Sequence, residues 1–127
     1  MSVSIPDTHI DLVAAPLVIS LATVMPDGQP QTTLIWFEFD GEKVRFTTSR
    51  GTQKEKNILL DPRVSLLVRD PENPYRYLEI RGTVDSMNEA GALDQLNRLA
   101  QRYTGHPLFT ETDIFLSLSE LMVGHNI

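Results

Sequence analysis

Residues 44–68, VRFTTSRGTQKEKNILLDPRVSLLV, read as strand, turn, short helix and strand, and the rest of the chain is organised around them. Residues 44–48 are rich in β-branched and aromatic side chains, and Ser49-Arg50-Gly51 then breaks the pattern with a residue that tolerates positive φ. Thr52-Gln53-Lys54-Glu55 fits a capping box, in which the Thr52 hydroxyl meets the Glu55 amide and the Glu55 carboxylate reaches back to the Thr52 amide. A helix therefore starts there. It has to be short, because Pro62 biases Asp61 away from the helical region and residues 64–68 then read as a buried strand.

A helix start exposes amides without intrahelical partners and carries the positive end of the helix dipole. Here those amides are joined by the hydroxyls of Thr48, Ser49 and Thr52 and by the cations Arg50, Lys54 and Lys56. Together they form a candidate anion cradle, most naturally for a phosphate. The same residues also fit a plain solvated helix, with Lys54 and Lys56 facing water and Thr52 only capping.

At 127 residues the chain is read as a single domain, 1–127, with enough length for its own core. Its 41% hydrophobic and 22% charged content is that of a soluble globular protein. Without cysteine there is no disulfide framework and no thiolate metal site, which fits a cytoplasmic location. The N-terminal residues 1–13 lack a basic region followed by a long apolar core, and no run approaches a membrane span, so no membrane association is expected. A net charge of −6 disfavours nucleic acid as a partner and makes the cationic turn a local feature.

Taken in order, Pro6-Asp7-Thr8 can begin a short helix with Ile10, Val13 and Ala14 on its apolar side, stopped by Pro16. Residues 17–24 and 31–39 read as a hairpin around the turn 25–30, and Asp40-Gly41 leads tightly into residues 44–48. After the cradle come strands over 64–68 and 75–84, an amphipathic helix over 88–103, and a last strand over 114–118; residues 119–127 are left unassigned. Short consecutive strands with helices inserted between them indicate a mainly β architecture, an antiparallel barrel or strongly curved sheet decorated by helices. The chain has neither a dinucleotide fingerprint nor a P-loop. A small barrel leaves little room inside, so a ligand is expected on the outer wall, with a second subunit able to close the groove.

The segments VISLATVMPDGQPQTTLIWF, DGEKVRFTTSRGTQKEKNILLDPRVSLLV, PYRYLEIRGTV and LNRLAQRYTGHP occur in an order that resembles the split-barrel flavin and deazaflavin oxidoreductases related to pyridoxamine 5′-phosphate oxidase. The likeness covers roughly residues 17–107 and looks closest to the branch that uses the deazaflavin F420. It implies a homodimer of six-stranded antiparallel split barrels, of the FMN-binding split-barrel type, with a cofactor at each end of the interface.

Carried over by position, the resemblance implies that Thr48 and Ser49 approach the cofactor phosphate, that Thr52 and Gln53 form the turn and that Lys54 closes it, with Arg50 and Lys56 as candidate cations for the polyglutamate tail of F420. Thr33, Leu34, Ile35 and Trp36 match the strand along the tricyclic ring, where backbone amides and carbonyls address its polar edge; Trp36 itself reads as a core or interface residue. FMN-binding members usually carry arginine before the phosphate lysine, whereas this chain has Gln53, which favours F420 over FMN. The chain ends before the C-terminal substrate-binding strand of the true pyridoxamine phosphate oxidases, so oxidation of that substrate is not expected. His9, His106 and His125 lack metal-ligand spacing, and no metal is expected. The implied activity is F420H2-dependent hydride transfer to a small organic acceptor, with no protein acid, base or nucleophile required. The alternatives are an FMN-binding oxidoreductase of the same fold or a non-catalytic F420 or flavin carrier.

Overall fold

The computed structural model describes residues 5–107 and the backbone of residues 115–122. Strand β1 (Ile19–Val24) pairs antiparallel with β2 (Pro30–Ile35), matching Ile19 with Ile35 and Leu21 with Thr33. Their turn is held by Gly28 donating to the Met25 carbonyl and by Asp27 accepting from the Gln29 amide. Strand β3 (Glu38–Phe39) pairs with β4 (Lys43–Ser49), and β5 (Arg63–Arg69) pairs with both β1 and β6 (Tyr77–Asn88). Strand β7 (Phe115–Met122) lies between β6 and β4, so the order across the sheet is β2-β1-β5-β6-β7-β4-β3.

The two ends of this ladder are consecutive in the chain. Only Trp36 and Phe37 separate β2 from β3, which holds the facing strand ends within about 11 Å. A sheet whose first and last strands must meet in this way has to curl, and the result is an antiparallel sheet of the split-barrel type. The run 31–39, expected as one strand, is thus a strand that changes partner: β2 pairs with β1, while β3 pairs with β4. Counted as one bent strand, the two restore the expected six.

Alternation along the strands fills the inside of the curl. Ile19 and Leu21 from β1, Val44 and Phe46 from β4, Val64, Leu66 and Val68 from β5, and Leu78 and Ile80 from β6 are all buried and form one cluster. Strand β6 serves both halves of the sheet: Tyr77 to Thr83 pairs with β5, and from Val84 onward it pairs with β7 through two register shifts. That second partner carries it four residues past the expected end at Val84.

Three helices cover the sheet. Helix α1 (Ile10–Ala14) follows a 3-10 turn at Asp7–His9, and it buries Leu12 and Val13 while Ile10 and Ala14 face outward, not the expected Ile10, Val13 and Ala14 face. Leu12 and Val13 join the core cluster and so set the inward face, and on the outer side the Arg76 guanidinium binds Asp11 at 2.6 Å, Asp70 at 3.0 Å and the Thr8 carbonyl at 2.5 Å. Helix α2 (Gln53–Leu60) inserts Ile58 into the core. Helix α3 (Ala92–Thr104) packs Ala92, Leu96, Leu99 and Ala100 against β4 and β7. It starts later than residue 88 because Gly91 holds φ at +82° and Asn88 still belongs to β6. Strand β7 runs on to Met122, into the stretch the sequence left unassigned, and residues 123–127, with His125, lie outside the described residues.

Phe46 is fully buried at the centre of β4. Phe46→Ala should cost about 3–5 kcal/mol in chemical denaturation. Lys56→Ala, on the exposed side of α2, should stay within about 0.5 kcal/mol of wild type.

Candidate functional site

The turn between β4 and α2 is built as a cap. The Thr52 hydroxyl accepts from the Glu55 amide at 3.4 Å and donates to the Ser49 carbonyl at 3.0 Å, and it lies 3.3 Å from the Thr48 hydroxyl. The Glu55 carboxylate accepts from Gly51 at 3.0 Å, not from Thr52 as the capping-box reading expected. Gly51 sits at φ +81°, and this left-handed turn brings its amide, one residue earlier, toward the carboxylate. Because the helix begins at Gln53, the amides of Gln53 and Lys54 have no intrahelical acceptor.

The three cations of this region have different surroundings. Arg50 is ion-paired with Glu89 and half exposed, so its charge is matched by an acid. Lys56 is exposed on the outer side of α2. Lys54 is half-buried, and loss of hydration pushes its amine below the ordinary lysine value. It has no ion-pair partner among the described residues, whereas Arg63, Arg76, Arg81 and Arg98 are matched by Asp61, Asp11 with Asp70, Glu79 and Glu38.

Lys54 opens onto a cavity of about 300 Å³. One wall is Leu34, Ile35 and Trp36 at the end of β2, another is Leu96 and Leu99 of α3, and Thr47 supplies a hydroxyl. Thr47 is held there by donating to Gln95 at 2.9 Å. Strand β2 terminates the ladder, so alternate residues turn backbone N–H and C=O groups to an edge with no strand partner among the described residues. Leu34 is 69% exposed beside this edge, and Val18, 55% exposed, flanks the cavity. The Thr33 hydroxyl oxygen is enclosed and has no hydrogen-bond partner among the described residues.

A buried polar network stands behind the cradle. Gln53 donates its carboxamide to Asn57 at 2.8 Å, and the fully buried Asn57 donates to Thr23 at 3.0 Å and Gln31 at 3.2 Å. Gln53 is therefore oriented by the β1–β2 hairpin through Asn57. At the far end of the cavity wall, the Trp36 ring stacks on Tyr103 with centroids 5.1 Å apart and planes 9° from parallel.

The expected site residues therefore fall into groups. Thr48, Ser49, Thr52, Gln53 and Lys54 come together at the cap, and Leu34, Ile35 and Trp36 wall the cavity that Lys54 opens onto, whereas Thr33 is not among its lining residues. Arg50 points its charge to Glu89 instead. Sequence reading did not single out Thr47, Asn57 or Tyr103. Thr47 alternates with buried neighbours, and Tyr103 carried only the apolar-stripe signal of its helix. Tyr75 and Tyr77 are 91% and 46% exposed. Among the described residues there is no cluster of three or more metal-ligating side chains, and no helix is long and apolar enough to cross a membrane.

Residues 5–117 match the sequence profile of the family described as pyridoxamine 5′-phosphate oxidase, and the chain belongs to that family. Among solved structures, an F420 reductase is 36% identical over 97% of both chains, with a TM-score of 0.83. A conserved hypothetical protein from Mycobacterium tuberculosis is 26% identical, covering 99% of this chain and 82% of its own, with a TM-score of 0.72. A heme storage protein from Vibrio cholerae, 17% identical with a TM-score of 0.68 over 98% of this chain and 95% of its own, shares the fold.

The lowered amine of Lys54 couples folding to pH. Protonating it costs folding free energy at any pH below its folded pKa, and that cost disappears as the pH rises from there toward the unfolded value. The Nζ resonance of Lys54 should titrate below the ordinary lysine range in the free protein. It should move upward when an anion binds, because a neighbouring negative charge favours the ammonium form.

Proposed function

We propose that the protein is a deazaflavin-dependent oxidoreductase that uses F420H2 to reduce a small organic acceptor. The observation that carries this reading is Lys54: a partly desolvated cation beside the free amides of a helix start, opening onto an apolar cavity along the exposed edge of β2. That combination suits a ligand with an anionic group at one end and a flat apolar body at the other. The 36% identity with an F420 reductase supports F420 as that ligand.

The residues present fit such a cofactor. The amides of Gln53 and Lys54, the Lys54 ammonium and the Ser49 hydroxyl would hold the phosphate, with Thr48 and Thr52 shaping the cap behind it. Leu34, Ile35 and Trp36 would bound the ring, and the free edge of β2, with Thr33 in it, would offer backbone donors and acceptors to the ring's polar rim. When bound, the reduced cofactor supplies a hydride to the acceptor. The chain's own part is to fix the anion, orient the ring against the β2 wall and keep water from one face of it. No side chain of the site is needed as acid, base or nucleophile, and we assign no catalytic residue. A second copy of the chain is expected to close the groove over the exposed Leu34 and Val18, giving a homodimer.

Gln53 favours F420 over FMN, because its carboxamide is engaged by Asn57 and adds no charge to the cradle. A fluorescence titration should show F420 binding more tightly than FMN; tighter binding of FMN would move the protein to the FMN-using alternative. Oxidation of F420H2 by an added acceptor should separate an enzyme from a carrier, which would protect the reduced cofactor. Lys54→Ala should weaken F420 binding roughly 10- to 150-fold, the worth of a charge-assisted hydrogen bond of about 1.5–3 kcal/mol. Lys43→Ala, at the opposite end of β4 where the lysine pairs with Asp85, should bind normally. Equal affinities for wild type and Lys54→Ala would remove the phosphate assignment. Light scattering should give twice the mass of one chain.

A further inference from the structure

We propose that Tyr103 is a positioning residue that sets the shape of the cavity wall, an inference that rests on reading this cavity as the cofactor site. Tyr103 touches two backbone segments that lie next in the chain to residues lining the cavity. Its phenol oxygen accepts from the Phe37 amide at 3.1 Å and donates to the Leu17 carbonyl at 2.5 Å. The residues next to these two, Trp36 and Val18, both line the cavity. One hydroxyl therefore ties together two chain segments that each contribute a residue to the wall.

The ring adds a second constraint. Stacked on Trp36 at 5.1 Å and 9°, it covers one face of the indole, so the indole cannot turn without losing the stack. The tyrosine is itself held, because the neighbouring Arg102 donates to the Ala15 carbonyl at 2.8 Å and places its guanidinium 5.8 Å from the Tyr103 ring. Burial raises the phenol above its ordinary pKa, which keeps the donor proton in place at neutral pH. Leu96 and Leu99 line the cavity from the same helix, so Tyr103 also sets how far α3 reaches over it.

Both hydrogen-bonding roles of the oxygen are used at once, which makes Tyr103→Phe the informative change: the ring stays and both bonds go. Trp36 is the only tryptophan in the chain, so the long-wavelength edge of its near-ultraviolet circular dichroism, where neither tyrosine nor phenylalanine absorbs, reports the setting of the indole with no cofactor present. Tyr103→Phe should alter that band and raise the F420 dissociation constant about threefold to tenfold, the factor for one neutral hydrogen bond. Gln101→Gly loosens the same helix at an exposed position that does not line the cavity, and it should leave both readouts at wild-type values in folded protein. A wild-type band and affinity in Tyr103→Phe would overturn the proposal, as would equal changes in Gln101→Gly, since the effect would then be general loosening of α3. Should wild type bind no F420, the cofactor reading falls, while the Trp36 band still decides whether Tyr103 sets the wall. Hydrogen exchange on the wild-type chain serves if Tyr103→Phe does not fold. Protection of the Phe37 amide comparable to the central β1 amides supports the bond, and exchange at the rate of an unstructured, solvent-exposed amide overturns it.

Discussion

The structure depends on a corner two residues long. Trp36 and Phe37 connect the first and last strands of the ladder, and the sheet can curl around its core only if the chain leaves β1 and joins β4 at this point. Such a step breaks the regular ladder. The Phe37 amide, next to a side chain that is fully buried, finds its acceptor in the Tyr103 phenol, which reaches it from α3, 66 residues away. An unpaired buried amide would cost about 1–3 kcal/mol, so the corner and the helix support one another. The cavity beside the corner is a consequence of this geometry, since its walls are the strand end before the break and the helix that secures it.

Electrostatics gives that cavity its sign. The chain carries a net charge of −6, and its arginines are largely matched by nearby carboxylates. Exposed pairs of this kind add little stability, but they neutralise the arginines locally. Lys54 stands in a half-buried place with no such partner among the described residues, and the helix-start amides add their partial charge next to it. A positive spot of this kind on an acidic protein selects for a small anionic group at one location and against a polyanion spread over the surface.

Parts of this were legible in the chain and parts were not, for reasons that can be named. The cap at Thr52, the stop before Pro62 and the alternation of residues 44–48 follow from local stereochemistry, and they stand in the structure nearly as read. The capping carboxylate chose Gly51 over Thr52 because a left-handed glycine redirects one amide, a detail that spacing does not encode. Helix α1 turned a different face inward because Leu12 and Val13 meet core residues of distant strands, while Arg76, 65 residues away, holds Asp11 on the outer side. Arg50 and Lys54 look alike as cations four residues apart, and only the position of Glu89 separates a matched charge from an available one. Asn57 looked like an ordinary helix residue, although it is fully buried and orients Gln53 through its own bonds to two side chains of the β1–β2 hairpin, Thr23 and Gln31.

What the sequence determined by itself was the set of local states: where strands alternate, where a helix is capped and stopped, and where glycine permits a turn. These depend on contacts within a few residues, which any window of the chain contains. What only the tertiary structure decided was the pairing of β6 with two different strands, the change of partner at Trp36–Phe37, and the desolvation of Lys54 against the cavity. Each rests on groups that are distant in sequence and meet only when the sheet has curled, and burial, which sets the charge and reach of a side chain, exists only after that meeting.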